Sequence, residues 1–369
     1  MSTVFRCETF RVFVVVTGCV CVSYAERAPA QEAIIIDHRC TNLQVIPDYW
    51  IEQAKLLTIH YAHTSHGSQI TTGAELLETI DPKYSFARRA AHTEGLPPEE
   101  DPPALRMYDG NPPEGYITPE DYWDSEDGCD RTCAVADTGN YGFSMWSWCG
   151  QQSDNSEETT QRYLDTMAEF EIEYPNMRFI YMTGHTDGTG ETGNLNLRND
   201  QVRDYCIANN KVLFDFADIE SYDPDGNYYL DKATDDECYY WVEGTQYNWA
   251  MDWCNDHADS DLCEGDNTCI ACGCAHSVYL NCNLKGRAFW WMMARLAGWA
   301  GPPAPDLDGD GDVDLDDFAV FADCLAGPGV ITPPTGCTSE QFGQTDLDHD
   351  NDVDVADLAI FQAASTGSQ

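Results

Sequence analysis

The stretch AKLLTIHYAHTSHGSQITTG, residues 54–73, joins an apolar run to a polar segment that contains two glycines. Residues 54–62 are largely apolar over a length typical of a strand, and this pattern predicts a strand buried in a sheet. The polar segment predicts a turn followed by a helix, with Thr72 and Glu75 as the capping box of that helix. A strand, a polar turn and a helix are the repeating unit of parallel α/β sheets.

Residues 31–300 repeat this alternation. A helix is predicted over residues 159–174, because Tyr163, Met167 and Phe170 recur at helical spacing before a proline. Further strands are predicted over residues 177–184 and 211–219, and further helices over residues 197–210 and 283–298, the last one capped by Asn283 and Gly298. The alternation predicts an α/β domain built on a doubly wound parallel sheet with helices on both faces.

Polar segments follow the predicted strands or precede the last helix. They comprise residues 63–70, 184–194 and 274–286. In open α/β sheets, sites form where strands end and helices begin. The first segment contains serines, the second contains polar donors, and the third contains a histidine before the last helix. Acyl transfer needs a nucleophile, an oxyanion hole and a general base, and these segments offer one group for each role.

The order of these groups resembles that of the SGNH, or GDSL-like, hydrolases. Ser65 matches the nucleophile after the first strand, residues 184–187 match the GxND motif, and His276 matches the catalytic histidine. Within GxND, His185 and Asp187 are the polar side chains available to the site, and Gly150 is the candidate for the glycine of the second motif block. The resemblance implies a flavodoxin-like doubly wound fold and a serine esterase or deacetylase.

The chain departs from the family pattern at two positions. Thr186 stands where the oxyanion asparagine is expected, and Gly273 stands where the aspartate of DxxH is expected. His185 would then supply the missing oxyanion donor, and Ser68 is a second candidate nucleophile. The candidates for a group that orients the base are Asp256, Asp266 and a backbone carbonyl.

Two other classes of function stay open. A metal-dependent hydrolase would use His60, His63, His66, His185 and Asp187 as ligands. Side chains alternate along a strand, so His60 and His63 would point to opposite faces unless a turn begins after Ala62. A non-catalytic protein would bind a glycan or a surface through aromatic residues of the proline- and glycine-rich excursion between residues 84 and 155.

Charge and hydropathy restrict the partners. The formal net charge of −45 repels nucleic-acid phosphates and anionic lipid headgroups. Residues 1–30 contain two arginines followed by an apolar stretch and small residues, a pattern typical of a secretory signal peptide. A lipoprotein signal with Cys19 as the modified residue is the alternative. No later stretch approaches the ~20 apolar residues of a membrane span, so we expect a secreted or cell-surface protein.

Cysteine usage fits export. The chain has 17 cysteines. Three of them lie in the predicted signal peptide, so an even number remains in the mature chain, which favours disulfides. A cluster between Cys254 and Cys282 could bind zinc instead, but its spacing is unlike that of paired CxxC motifs. Cys324 and Cys337 are expected to form a disulfide.

The composition changes between residues 301 and 305, where a linker rich in proline and glycine precedes an acidic tail. Residues 306–317 recur as residues 346–357, each followed by an apolar helical pattern. Oxygen ligands fall at the positions of a twelve-residue calcium loop. The predicted ligands are Asp306, Asp308, Asp310, Asp312, Asp314 and Asp317 in the first loop and Asp346, Asp348, Asp350, Asp352, Asp354 and Asp357 in the second, with Asp312 and Asp352 acting through their carbonyls.

Glycine is usual at the sharp turn of such a loop. Gly311 occupies this position in the first repeat, and Asn351 replaces it in the second, which asparagine tolerates because it enters the left-handed region readily. The two repeats resemble a type I dockerin, which implies a small all-α tail that binds calcium and docks on a cohesin-like or cell-surface partner. At the positions that contact cohesins, residues 315–316 and 355–356 replace the usual Ser/Thr pairs.

These inferences predict three segments: a signal peptide at residues 1–30, an SGNH-like domain at residues 31–300 and a dockerin-like domain at residues 301–369. The expected function is that of an exported esterase or deacetylase that acts on an acylated polysaccharide or another ester. The carbohydrate part follows from the resemblance to dockerin-bearing proteins and from the aromatic-rich excursion.

Overall fold

A computed structural model describes residues 32–90, 95–264, 268–302, 305–347 and 351–365. Several sequence predictions concern residues outside these ranges. They are the signal peptide at residues 1–30, the lipoprotein signal at Cys19, the candidate acid Asp266, and the loop positions Asp348 and Asp350.

The described part of the chain contains a seven-stranded, all-parallel sheet and a two-stranded hairpin. The strands of the sheet are β1 (Ile34–Ile36), β2 (Thr58–His63), β3 (Phe86–Ala90), β4 (Leu105–Asp109), β5 (Phe143–Ser147), β6 (Arg178–Met182) and β7 (Val212–Phe214). The hairpin pairs β8 (Tyr239–Val242) with β9 (Thr245–Asn248). The predicted parallel α/β fold is confirmed.

Twelve α-helices accompany the strands in the described ranges. They are α1 (Asp48–Ala54), α2 (Ser68–Ile80), α3 (Glu126–Asp137), α4 (Gln151–Asp154), α5 (Glu157–Glu173), α6 (Asn194–Ala208), α7 (Phe216–Ile219), α8 (Trp249–Asp256), α9 (Tyr279–Leu296), α10 (Leu315–Cys324), α11 (Ser339–Thr345) and α12 (Val355–Ala364). Helices alternate with the strands of the sheet, which is consistent with a doubly wound arrangement.

Backbone contacts divide the chain into two compact units. The first, here called the sheet unit, comprises the described residues up to Thr41 together with Glu52–Met293. The second, here called the tail unit, comprises Asn42–Ile51 and the described residues from Ala294 onward. The predicted boundary between residues 300 and 301 lies inside the tail unit.

The strand order of the sheet is β1-β7-β6-β5-β2-β4-β3. From the central strand β2 the chain first builds the side that contains β3 and β4, and then returns to the other side of β2 to add β5, β6 and β7. The direction of winding therefore reverses between β2 and β5. In doubly wound folds, ligands bind outside the carboxyl ends of the strands at such a switch point.

Helices α2 and α9 approach each other closely in the sheet unit. A Cβ atom on Gly73 would lie 2.3 Å from the Cys282 carbonyl oxygen, and one on Gly286 would lie 2.3 Å from the Gly73 carbonyl carbon. Only glycine permits backbones to approach this closely. The crossing places Gln69 of α2 beside Lys285 of α9, whose ammonium group donates a hydrogen bond to the Gln69 side-chain oxygen.

Two predicted helix starts are wrong. Helix α2 begins at Ser68, directly after the turn, so Thr72 and Glu75 lie inside it and form no capping box. Glu75 instead forms an ion pair with Arg88. Helix α9 begins at Tyr279, so Asn283 is inside it as well. In both cases the helix begins four residues before the residue that was predicted to cap it.

The excursion between residues 84 and 155 contains regular structure that the sequence analysis did not predict, namely β3, β4, α3 and β5. Most of its aromatic residues form part of the core, whereas Tyr116 is 59% exposed. Trp123, Trp146 and Trp148 are fully buried. Trp123 and Trp148 pack edge to face with Tyr163 of α5, and Trp146 packs edge to face with both tryptophans. These three tryptophans are therefore not available to a glycan-binding surface in this segment.

The tail unit contains α10, α11 and α12 around a small apolar core. The sequence repeat is visible in this core, because Val313 and Phe321 of the first repeat pack with Val353 and Phe361 of the second. The predicted disulfide between Cys324 and Cys337 is present.

Candidate active site

A cysteine, a histidine and an aspartate form a hydrogen-bonded series at the switch point of the sheet. The Cys149 sulfur lies 2.8 Å from Nδ1 of His66. The other ring nitrogen of His66, Nε2, lies 2.8 Å from a carboxylate oxygen of Asp236. A nucleophile bound to a histidine that an acid orients is the arrangement of catalytic triads on several unrelated folds.

The sheet brings these residues together. His66 lies in the turn between β2 and α2, and Cys149 lies in the turn between β5 and α4. Strands β2 and β5 are neighbours in parallel register, with His63 opposite Ser147, so the two turns leave the sheet at the same edge. Asp236 precedes the hairpin, and its backbone carbonyl accepts hydrogen bonds from Ser277 and Asn281.

The site shifts the acidity of the Cys149 thiol. Partial burial acts to raise the pKa of Cys149, but hydrogen bonds from His66 and Ser65 and the positive charge of His66 outweigh it and lower the pKa to about 5. A thiol with such a pKa is ionised near neutral pH. The thiolate is the nucleophilic form of cysteine.

The imidazole of His66 shifts in the opposite direction. Burial acts to lower its pKa, but hydrogen bonds to Asp236 and Cys149 raise the pKa to about 9. Burial likewise acts to raise the pKa of Asp236, and the hydrogen bond to His66 keeps that pKa below its usual range. Between about pH 5 and pH 9 the site therefore holds a thiolate, an imidazolium and a carboxylate.

Two further histidines stack on His66. The His185 ring is parallel to it within 4°, with ring centroids 3.8 Å apart. The His276 ring is tilted by 12°, with ring centroids 4.5 Å apart. The Nδ1 atom of His185 donates to the Thr186 carbonyl oxygen at 2.7 Å. Among the described residues, the buried Nε2 atom of His185 has no hydrogen-bond partner.

The residues predicted from the SGNH resemblance lie around this series. The Ser65 hydroxyl is 3.5 Å from the Cys149 sulfur, and Gly150 is the N-cap residue of α4. His276 is exposed and stacks on His66. Ser65, His185 and His276 thus each contact a residue of the Cys149–His66–Asp236 series. No hydrogen bond joins Ser65 to His276 in the described part of the chain, and the nucleophilic role of Ser65 stays a prediction.

Other candidates have structural partners. The Ser68 hydroxyl donates to the Ser65 carbonyl oxygen at 2.7 Å. Asp187 accepts hydrogen bonds from the backbone and hydroxyl of Thr189 and shapes that loop. Asp256 was a candidate for the acid that orients His276, whereas the acid that contacts an imidazole of this site is Asp236, on His66.

Sequence reasoning missed two members of the series. Cys149 was included among the expected disulfide cysteines, but it is a free thiol. Asp236 lies in an irregular acidic segment with no motif around it. A usable signal was present for Cys149, because it lies two residues after a buried strand and precedes a glycine, as a nucleophile on a strand-to-helix turn can.

A metal does not fit the histidine stack. His66, His185 and Asp236 offer ligand atoms within 4.8 Å of one another. Imidazole nitrogens bind metals in the plane of the ring, and an ion in the plane of one stacked ring lies far outside the plane of the other. Both nitrogens of His66 are also engaged, by Cys149 and by Asp236.

The other histidines of the metal alternative have separate partners. His60 contacts the Ser144 hydroxyl and the Gly110 carbonyl oxygen, and its complete burial lowers the pKa of its imidazole to about 4. His63 lies 3.0 Å from the Asp109 carboxylate.

The predicted cysteine cluster contains a disulfide between Cys254 and Cys269. The sulfur atoms of Cys272 and Cys282 lie 3.0 Å apart. Two of the six cysteines of this cluster are thus paired, while Cys263, Cys272, Cys274 and Cys282 are free thiols.

The acidic loops of the tail unit have a repeated backbone geometry. In the first loop, Asp317 is buried and accepts hydrogen bonds from the backbone of Leu307, Asp308 and Asp314. In the second loop, Asp357 accepts from the backbone of Leu347 and Asp354. Gly311 and Asn351 have φ values of 100° and 73°, so the predicted left-handed turn is present in both repeats.

Aspartate side chains converge in both loops. The described clusters that offer carboxylate oxygens within 4.8 Å are Asp306, Asp308 and Asp317; Asp312, Asp314 and Asp317; and Asp352, Asp354 and Asp357. Partial burial raises the pKa of Asp306 to about 6, and the neighbouring charges of Asp317 and Asp308 act in the same direction. Carboxylate oxygens are the donors that hard divalent cations prefer.

Comparison with protein-family models, with curated protein sequences and with solved structures gave no match. Among the described residues, no helix combines the length and the apolar character that crossing a bilayer requires. The case for a function therefore depends on the side chains at the switch point of the sheet and on the aspartate loops of the tail unit.

Proposed function

We propose that the sheet unit is a hydrolase of acyl esters in which Cys149 is the nucleophile, His66 is the general base and acid, and Asp236 orients His66. The observation that carries the proposal is the Cys149–His66–Asp236 series, with 2.8 Å at each contact. The ester hydrolysis expected from the sequence is retained, while the nucleophile moves from Ser65 to Cys149.

The proposed reaction has two steps. The Cys149 thiolate attacks the carbonyl carbon of the ester, and the His66 imidazolium gives its Nδ1 proton to the leaving alcohol, which leaves a thioester on Cys149. Neutral His66 then takes a proton from water, and the resulting hydroxide attacks the thioester. The tetrahedral intermediate formed by this attack collapses, which releases the carboxylic acid and restores the Cys149 thiolate and the His66 imidazolium. Asp236 keeps the ring oriented in both steps.

Groups beside Cys149 can stabilise the oxyanion. The Ser65 hydroxyl lies 3.5 Å from the sulfur, and the neighbouring Thr64 hydroxyl also acts to lower the pKa of the thiol. Hydroxyl donors at this position can turn to the negative oxygen that develops next to the sulfur. Ser65 thus keeps a role in the proposed site even though it is not the proposed nucleophile.

The fold supports a relation to SGNH-like, flavodoxin-like enzymes. Numbered along the chain, the five strands β2, β4, β5, β6 and β7 have the spatial order 2-1-3-4-5 of that fold. We propose an acylated carbohydrate or another ester as substrate. The buried, unpartnered Nε2 of His185 supports a hydroxylated substrate, because this nitrogen is a hydrogen-bond acceptor when Nδ1 carries the proton.

A serine esterase is the second candidate, because Ser65 is close enough to Cys149 to share the site. Activity on p-nitrophenyl acetate separates the two. In the Cys149→Ser protein we expect kcat/KM to fall by about 10³ or more, as on removal of a nucleophile, and in the Ser65→Ala protein by about 10², as on loss of one oxyanion donor. Full activity in Cys149→Ser together with complete loss in Ser65→Ala would assign the nucleophile to Ser65.

We propose that the tail unit binds two calcium ions and docks on a cohesin-like or cell-surface partner. Converging carboxylates in both repeats support the calcium part. Leu315 and Val355 occupy equivalent positions at the start of α10 and α12 and are 79% and 70% exposed, which supports a protein partner that covers both.

A further inference from the structure

A fully buried ion pair lies in the sheet unit near His66. The side chains of Lys285 and Glu220 are both 0% exposed, and the Lys285 ammonium contacts one carboxylate oxygen of Glu220. Lys285 also donates to the side-chain oxygen of Gln69. Charged groups are expensive to bury, and a buried pair does not by itself indicate stability. The contacts that extend from this pair indicate what it does.

One branch leads from the pair to the loop after β6. The second carboxylate oxygen of Glu220 accepts hydrogen bonds from the Thr186 backbone at 2.7 Å and from the Thr186 hydroxyl at 3.1 Å. The Thr186 carbonyl in turn accepts the Nδ1 proton of His185. Glu220 therefore holds the Thr186 backbone directly. Through the Thr186 carbonyl it also holds the His185 ring, which stacks on His66.

The other branch leads to the segment before α9. The side-chain nitrogen of Gln69 donates to the Ala275 carbonyl oxygen at 2.7 Å and to the His276 carbonyl oxygen at 3.2 Å. His276 has a φ of 54°, a left-handed conformation that a residue with a side chain adopts only when its surroundings hold it there. Gln69, oriented by Lys285, supplies such a restraint.

Both branches end on the imidazole of His66. The His185 and His276 rings are nearly parallel to it, with centroids at 3.8 and 4.5 Å. Two rings at these distances would overlap if they shared one face of His66, so they lie on opposite faces. The network holds the backbones on either side of the ring that contacts the Cys149 sulfur.

We propose that Glu220 and Lys285 are positioning residues that clamp His185 and His276 against His66 and thereby maintain its contact with Cys149. The inference rests on the proposed function of the same site. The titratable and charged groups that act on or contact His66 are Cys149, Asp236, His185, His276 and Glu220, with Lys285 as the partner of Glu220. Glu220 also acts to raise the pKa of His66.

The test measures alkylation of Cys149 by iodoacetamide in the full-length protein, quantified on the Cys149 peptide by mass spectrometry at pH 6 and pH 9.5. The variant is Glu220→Gln/Lys285→Met, which removes both charges and leaves neither one unpaired. We expect the ratio of the two rates, pH 6 over pH 9.5, to fall at least fivefold relative to wild type. A ratio within twofold of wild type in the folded variant would overturn the proposal, even if the melting temperature falls.

The matched control is Glu171→Gln/Lys211→Met, which removes another ion pair of the sheet unit. Its ratio should equal that of wild type. If the Glu220→Gln/Lys285→Met protein does not fold, the same ratio of alkylation rates is measured in Gln69→Met. This variant removes the contacts of Gln69 with Lys285 and with the segment before α9 without changing any charge. An unchanged ratio in Gln69→Met would then overturn the proposal. Failure of the proposed function is distinguishable, because wild-type Cys149 itself would then react much more slowly at pH 6 than at pH 9.5.

Discussion

At the scale of single residues, the chemistry of the site depends on one imidazole that contacts two acids. His66 touches the Cys149 sulfur with one nitrogen and the Asp236 carboxylate with the other. Burial alone would keep both the thiol and the imidazole neutral, but the contact stabilises their charged forms together.

The contact between Cys149 and His66 predicts how the reactivity of the Cys149 thiol depends on pH. The pKa of Cys149 is depressed, so its thiolate is present above about pH 5 and is lost as the pH falls through that value. In His66→Asn the thiol should titrate near 8.5. At pH 6 the thiolate fraction then falls by about 300-fold, and the higher nucleophilicity of the more basic thiolate offsets part of this, leaving alkylation roughly tenfold slower.

Iodoacetamide alkylation of the Cys149 peptide between pH 4 and pH 10 measures this titration. The buried thiol Cys206, whose pKa is raised, serves as the internal comparison. A wild-type midpoint near 8.5, equal to that of His66→Asn, would contradict the ion pair.

At the scale of elements, the site depends on the turns that end β2 and β5 and on the crossing of α2 and α9. The crossing is possible because Gly73 and Gly286 face each other without side chains. It places Gln69 and Lys285 side by side, one turn or less from the glycines. Separation of the two helices would therefore disturb the site as well as the core.

This crossing predicts a large effect of a small substitution. In Gly286→Val the Cβ would meet the Gly73 backbone at 2.3 Å, and backbone cannot move aside as a side-chain end can. We expect a loss of about 3 kcal/mol or more in the free energy of unfolding, in the range of severe overpacking. Chemical denaturation measures it. Gly142→Ala, where the nearest atom lies at 3.8 Å, is the control and should change stability by about 1 kcal/mol or less. Equal stability of the two variants would refute the close crossing.

At the scale of the whole molecule, two units of different physical character make up the chain. The sheet unit has a large apolar core, whereas the tail unit has a small core beneath converging carboxylates. Carboxylates that converge repel one another unless a cation offsets their charge. The stability of the tail unit should therefore depend on divalent ions, and that of the sheet unit should not.

Calorimetry of the full chain with calcium or with a chelator measures this dependence. Each occupied site should stabilise the tail unit by about 2.7 kcal/mol at a free calcium concentration of 100 times Kd. Asp306→Ala and Asp346→Ala should each remove one site, while Asp323→Ala, an exposed aspartate of α10, should remove none. If chelator leaves every transition of the wild-type protein unchanged, the two-site proposal is wrong.

Some elements of the fold could be predicted from the sequence and others could not, for physical reasons. The sequence predicts a buried strand at residues 54–62, because a largely apolar segment of this length is typical of a strand covered on both faces. Strand β2 begins only at Thr58, because α1 extends to Ala54. The calcium-loop register is detectable because ligand spacing repeats. Strands β3, β4 and β5 were missed, since short strands between proline- and glycine-rich turns have no periodicity of their own.

The site was only partly predictable for a different reason. Ser65, His185 and His276 were predicted to lie near one another because polar residues at strand ends converge in this fold class, and each contacts the Cys149–His66–Asp236 series. The sequence does not show which histidine contacts which cysteine, so the contact between His66 and Cys149 was not predicted and His66 was considered only as a metal ligand. Asp236 reaches the site from an irregular segment, and its place is set by tertiary contacts such as those with Ser277 and Asn281.

The identity of the nucleophile is the central claim, and trapping the acyl-enzyme tests it most directly. Full-length protein is mixed with p-nitrophenyl acetate, quenched in acid within the first turnover and digested, and the acylated peptide is identified by mass spectrometry. The structure-based account predicts the acetyl group on Cys149, and its loss in Cys149→Ser but not in Ser65→Ala. An acetyl group on the Ser65 peptide, or a release of p-nitrophenol at the same rate in Cys149→Ser, would contradict it.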